Sequence, residues 1–369
     1  MALSLKPNSL KMKSLFNIKN SLLASVILLS NLNSNAQNNI KIVHHPDQPL
    51  KEKTSNQYNL NFDFVIENSS KDTLRLTRLE VRFYDKNNVL VQQKFLDGNG
   101  TAPSINTIPE IQWNGIAKSI LFNPFPEVNS MVSKLEYTFT FNDNIEVKNI
   151  VIPKNYEQLK DFGLPLKSKL LVYDGHDLNS HHRRFNYEFE PIHQLGFTGN
   201  FMRYAYDLVV LNSENKQFSN KGENNTDWFG FGNDVLAVAD GEIVAVETNQ
   251  KDDKQFNIPA LKDNPLALYG NYVVIKHNEN VYSMYGHLKN QSSAAFKIGD
   301  KIKKGQKIGV IGTSGSSFFP HLHFEVRNNI NHDAEGVPSY FTDFKLISGS
   351  QTKEIKKGTI NTGDIVQTK

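Results

Sequence analysis

The stretch Val235-Leu236-Ala237-Val238-Ala239-Asp240-Gly241-Glu242-Ile243-Val244-Ala245-Val246 sets the reading of the second half of the chain. Two apolar runs rich in β-branched residues flank Asp-Gly, a pair suited to the positive backbone angles of a tight turn, so the stretch predicts a β-hairpin. Asn271 to His277 and Val281 to Leu288 predict a second strand pair across Asn278-Glu279-Asn280. Short strands with glycine turns follow at 298–302 and 304–311. Helix-period runs are scarce, and this half reads as mostly β.

The first half carries the same signal in another form. Tyr58, Leu60, Phe62, Phe64 and Ile66 alternate with residues that face the other way, as do Leu135, Tyr137, Phe139 and Phe141. Asn-rich turns such as Asp85-Lys86-Asn87-Asn88 separate the runs. An immunoglobulin-like β-sandwich is expected over residues 40–155, with no cluster of catalytic character. Pro153 to Leu166 reads as a linker with a short helical piece. The expected fold is all-β: a sandwich, a compact antiparallel β domain over 165–345, and a tail at 346–369.

The chain has 369 residues, a net charge of +3 and 21% charged residues, which is no nucleic-acid signature. It contains no cysteine, so thiol nucleophiles, disulfides and thiolate metal sites are excluded and a metal would need His, Asp or Glu. Lys6, Lys11, Lys13 and Lys19 precede the apolar run Leu22 to Leu29, and Ser34-Asn35-Ala36 suits signal peptidase. That run is about half of the roughly 20 residues that spanning needs. Residues 1–36 are expected to be a cleaved signal peptide, and the mature chain periplasmic or secreted.

Eleven histidines are unevenly placed. In Pro320-His321-Leu322-His323-Phe324-Glu325-Val326 the two imidazoles share one strand face, which suits a metal ligand beside an unliganded base. His287, in Tyr285-Gly286-His287-Leu288, is a third candidate. Asp207 stands in the apolar run Tyr204 to Val210, where a carboxylate requires a partner or a cation.

The order and spacing of five motifs, Asp240-Gly241, Gly270 to His277, Tyr285 to Leu288, Gly305 to Gly309 and Pro320 to Val326, resemble those of the lysostaphin-type M23 metallopeptidases. The resemblance covers roughly Leu195 to Arg327. It implies a zinc endopeptidase that cuts the peptides of bacterial peptidoglycan by metal-activated water. By the same resemblance Asp207 and His323 match metal ligands, and His287 and His321 match the unliganded histidines that move protons.

The pattern breaks where the family has its first ligand histidine, four residues before Asp207. Arg203 stands there, and a guanidinium cannot be deprotonated to bind zinc. Ser180-His181-His182-Arg183-Arg184-Phe185 offers a substitute, with His182 preferred over His181, His176 and His193. The same run also reads as a basic patch for anionic wall polymer. Phe318-Phe319 stand where the family has small residues, and insertions at 212–228 and 248–268 are candidates for loops over the site. The two functions that follow are an exported zinc endopeptidase and a catalytically degenerate wall-binding or regulatory module, which Arg203 favours.

Overall fold

A computed structural model describes residues 39–54, 57–175, 177 and 180–369. The expected signal peptide lies outside the described residues, and so does His176. No helix among the described residues is long and apolar enough to cross a membrane.

The described residues fall into two compact units. The smaller comprises 39–44, 64–121 and 132–151 and is a two-sheet β structure. One sheet orders Ile40–His45, Asp63–Asn68 and Ala117–Phe122. The other orders Glu146–Val151, Lys134–Phe141, Leu74–Tyr84 and Leu90–Asp97, with Gln112–Trp113 beside Leu74–Tyr84. Along Lys134–Phe141 every second residue is buried, as the alternation of Leu135, Tyr137, Phe139 and Phe141 requires. Phe64 meets Tyr137 and Phe139 edge-on at 4.7 and 4.9 Å, which joins the inner faces of the two sheets.

The larger unit comprises 45–63, 122–131 and 152–369. Two segments expected in the sandwich therefore belong here, because period-two patterning specifies a strand without specifying its sheet. Leu50–Lys53, Tyr58–Leu60 and Glu127–Val128 form a small sheet that Lys154–Asn155 joins in parallel. The segment 153–166 is accordingly sheet and core rather than linker: Phe162, Leu164 and Leu166 alternate and are buried.

The principal sheet has ten strands, in the order Lys301–Ile302, Gly241–Glu247, Asn271–Asn278, Val281–Leu288, Leu322–Arg327, Tyr206–Val210, Lys169–Asp174, Ile365–Thr368, Phe341–Ser348 and Gln351–Gly358. The hairpin expected across Asn278-Glu279-Asn280 is present. Residues 346–369, expected as a tail, supply strands of this sheet, and Ile360 and Val366 are buried in its core.

The Asp240-Gly241 hairpin does not form. Asp234–Leu236 pairs with Lys307–Val310 in a separate two-stranded sheet, while Gly241–Glu247 pairs with Asn271–Asn278. Close packing, not a turn, explains the glycine, since a Cβ on Gly241 would lie 2.5 Å from the Ile275 side chain and 2.6 Å from the Lys276 carbonyl. Asp240 instead ties the crossing to the 301–307 turn, accepting from the backbone N–H of Lys304 at 2.7 Å.

Candidate metal centre

Register alone assembles most of the site. Across four adjacent strands Asp174 pairs with Asp207, Asp207 with His323, and His323 with Gly286, so a single row crosses the sheet. Cross-strand partners in antiparallel pairs share a face. His287 enters the site by a bulge. The Val281–Leu288 strand has one extra residue against Asn271–Val273, and His287 takes a φ of +58°, uncommon outside glycine, that re-aims its ring. Gly286 is required by its neighbour, since a Cβ there would lie 2.8 Å from the Tyr269 ring.

The five predicted residues converge. Nδ1 of His323 lies 3.1 Å from Oδ1 of Asp207, and Nε2 of His321 lies 3.4 Å from the same oxygen. Nε2 of His182 lies 3.8 Å from Oδ2 of Asp207, and its ring stands nearly perpendicular to that of His323 with centroids 4.9 Å apart. The rings of His287 and His321 are also 4.9 Å apart. All five side chains are buried.

His182, Asp207 and His323 offer two nitrogens and one oxygen within 4.8 Å of one another. Ligands about 2.0–2.2 Å from a tetrahedral zinc ion lie roughly 3.3–3.6 Å apart, so this donor set fits one ion, leaving a fourth position open. Asp174, His181 and His182 form a second such group that shares His182. Oδ2 of Asp174 sits 2.6 Å from Nδ1 of His182, which directs Nε2 toward Asp207. His181 touches Asp174 at 3.0 Å but leaves its side chain largely exposed. His193, half exposed, sits 4.0 Å from Glu188 and belongs to neither group.

The hydrogen bonds fix the tautomers of the other two rings. Nδ1 of His287 is 2.8 Å from the Ser314 carbonyl, and Nδ1 of His321 is 2.8 Å from the Phe319 carbonyl. A carbonyl only accepts, so each Nδ1 carries a proton; a neutral His287 then presents a lone pair at Nε2, whereas Nε2 of His321 faces the Asp207 carboxylate. Burial, with His321 and His323 nearby, holds His287 well below the ordinary imidazole range, so it is neutral at pH 7. Burial would raise Asp207, but His182, His321 and His323 keep it ionised, well below the usual carboxylate range. His323 is opposed by burial yet pushed up to about 9 by Asp207 and Glu325.

Arg203 does not face this cluster. It is fully buried, with one terminal guanidinium nitrogen 2.8 Å from Asp63 and 3.1 Å from Glu335. The guanidinium is thus neutralised by carboxylates of its own unit in an internal ion pair.

Residues 223–334 match the model of peptidase family M23. This stretch is an M23 domain. It contains His287, His321 and His323, while Asp207 and His182 precede the matched stretch. The chain is 42% identical over 65 residues to the peptidoglycan DD-endopeptidase ShyA of Vibrio cholerae, covering 18% of this chain and 14% of that one. It is 32% identical over 96 residues to the murein hydrolase activator EnvC of Escherichia coli, covering 26% and 18%. The chain thus spans less than a fifth of the length of these two curated relatives. The catalytic domain of the prophage-encoded M23 protein EnpA from Enterococcus faecalis, solved as a point mutant, is 25% identical with a TM-score of 0.22, over 33% of this chain and 85% of that one.

A cleft of about 710 Å3 opens over the histidines of the M23 domain. Phe318, Phe319, Tyr173 and Phe189 line it, and Phe319 stacks on Trp228 at 4.9 Å, so the bulky rings at 318–319 are wall rather than core. Both insertions reach the site at their ends: Leu268 closes one and lines the cleft, and Trp228 closes the other and backs Phe319.

Four supporting residues carry no role in the sequence pattern. Asp174 ends an apolar strand, as Asp207 begins one, and that symmetry is the available signal. Glu325 follows His323 by two residues on the same strand, 3.5 Å from its Nε2, and Tyr269 donates to Glu325 at 3.0 Å. Arg327 also holds Glu325. Burial would raise Glu325, but Arg327 and His323 keep it ionised below the usual range. It occupies the far nitrogen of His323 and leaves Nδ1 for the cluster.

Proposed function

We propose that this chain is an exported zinc-dependent endopeptidase acting on the peptides of bacterial peptidoglycan. The observation that carries the reading is the convergence of His182, Asp207 and His323 beneath His287 and His321 in one cleft. Zinc bound there would act as a Lewis acid, polarising a peptide carbonyl and lowering the pKa of water.

The remaining chemistry belongs to the side chains. His287, neutral with its lone pair at Nε2, is suited to take a proton from an attacking water. His321, whose Nε2 faces the Asp207 carboxylate at 3.4 Å, is suited when charged to carry a proton to the leaving amine and to stabilise the oxyanion. Glu325 and Asp174 orient His323 and His182. The apolar surface of Phe318, Phe319 and Tyr173, with Phe318 and Tyr173 open to solvent, favours a peptide with apolar contact surface.

Arg203 favours a catalytically degenerate module when the sequence is read alone. Its engagement with Asp63 and Glu335, and the proximity of His182 to Asp207, supply an alternative account of that substitution. Kinship to both an endopeptidase and an activator is compatible with either activity. Purified peptidoglycan incubated with the chain is expected to yield new amine termini, blocked by chelation and reduced about 10²–10⁴-fold in His287→Ala. Absence of cleavage by zinc-loaded protein would leave the regulatory reading.

A further inference from the structure

We infer that Asn61 is a positioning residue for the metal cluster, because its one side chain bridges the two segments that carry His182 and Asp207. The inference rests on the assignment of His182 as a ligand. Asn61 is buried in the larger unit at 4% exposure. Its Oδ1 accepts from Nε of Arg183 at 2.9 Å, and its Nδ2 donates to the carbonyl of Arg203 at 3.2 Å. Arg183 follows His182 directly, and Arg203 lies in the turn that leads into Asp207.

Each side of the bridge is held elsewhere. Arg183 also donates through a terminal guanidinium nitrogen to the Asn123 carbonyl at 3.3 Å, and its own carbonyl accepts from Asn200 Nδ2 at 2.9 Å. Arg203 is fixed by Asp63, two residues from Asn61, and by Glu335. His182 sits in a single 3-10 turn, His182–Arg184, too short to hold its own place. With Arg183 buried and clamped beyond it and Asp174 contacting its Nδ1, His182 is constrained from both sides. The arginine at the lost ligand position thereby takes a task in the geometry of the replacement: it anchors the strap at Asp63 and offers its carbonyl to Asn61.

The test compares the full chain with Asn61→Leu, similar in size and without hydrogen bonds, and Asn61→Asp, which keeps the oxygen for Arg183. Zinc affinity is measured by chelator competition, and coordination by the visible spectrum of the cobalt-substituted protein. Losing a group that holds a ligand in place weakens metal binding about 10–100-fold, and that is the result expected for Asn61→Leu, with an altered cobalt spectrum and a smaller loss in Asn61→Asp, which keeps the Arg183 end of the bridge and loses the donor to the Arg203 carbonyl. A folded Asn61→Leu chain with unchanged affinity and spectrum overturns the inference and leaves the proposed function standing. If Asn61→Leu does not fold, Arg183→Lys decides, since lysine lacks the fork that reaches both Asn61 and Asn123. At least tenfold weaker binding supports the inference, and unchanged binding overturns it. A wild-type chain that binds no zinc overturns the functional reading itself, and the inference with it.

Discussion

Asp174 and His182 are joined by a contact of 2.6 Å between Oδ2 and Nδ1, and the opposite nitrogen of the same ring looks across 3.8 Å at Asp207. Burial opposes the charge on Asp174, yet His181 and His182 hold its carboxyl far below the usual range, so it is an anion at any working pH. The pair has the form of a carboxylate that orients a metal-binding imidazole. Asp174→Asn keeps the shape and removes the charge. Zinc affinity is expected to fall about 10–100-fold in chelator competition, and an unchanged value would show that Asp174 only caps its strand.

Arg203→His restores the family residue at the position four before Asp207, and the expected result is harm. Asp63 and Glu335 would lose a buried cation that touches both. Breaking a buried ion pair from one side costs about 3–5 kcal/mol, to be read from urea denaturation midpoints. A variant of wild-type stability with tighter zinc binding would contradict the assignment of Arg203 to structure.

The sheet and the histidines are legible in the sequence to different depths. His321 and His323 declare a shared face because strand geometry has period two, and the structure brings both to one oxygen of Asp207. His182 can be picked only as one of several upstream histidines, because nothing in the sequence states that Lys169–Asp174 runs beside Tyr206–Val210. Register between distant strands is a tertiary property, which is why Asp174 does not stand out. The same limit hides the destination of residues 45–63 and 122–131, whose alternation would suit either unit. Gly241 misleads for a different reason, since Asp-Gly also serves where two backbones need to approach closely.

Glu52 supplies a pH dependence separate from the metal cluster. On the strand Leu50–Lys53, burial raises its carboxyl to about 8, against a smaller opposing pull from Arg183. The folded chain therefore holds this proton between the ordinary carboxylate value and about pH 8, while the unfolded chain has released it. Stability falls with rising pH across that window, by roughly 1.4 kcal/mol per unit at most, and levels off above it. Glu52→Gln is expected to flatten the slope of unfolding free energy between about pH 5 and 8. An identical slope in the variant would show that the carboxyl is ionised in the folded state.

The zinc content of the purified chain and of its His182→Ala variant, measured by elemental analysis after gel filtration, bears most directly on the central claim. About one zinc per wild-type chain is expected, with most of it lost in the variant, because the two proposed ligands that remain, Asp207 and His323, would make a weak site. Equal zinc in both proteins, or none in the wild type, would contradict it.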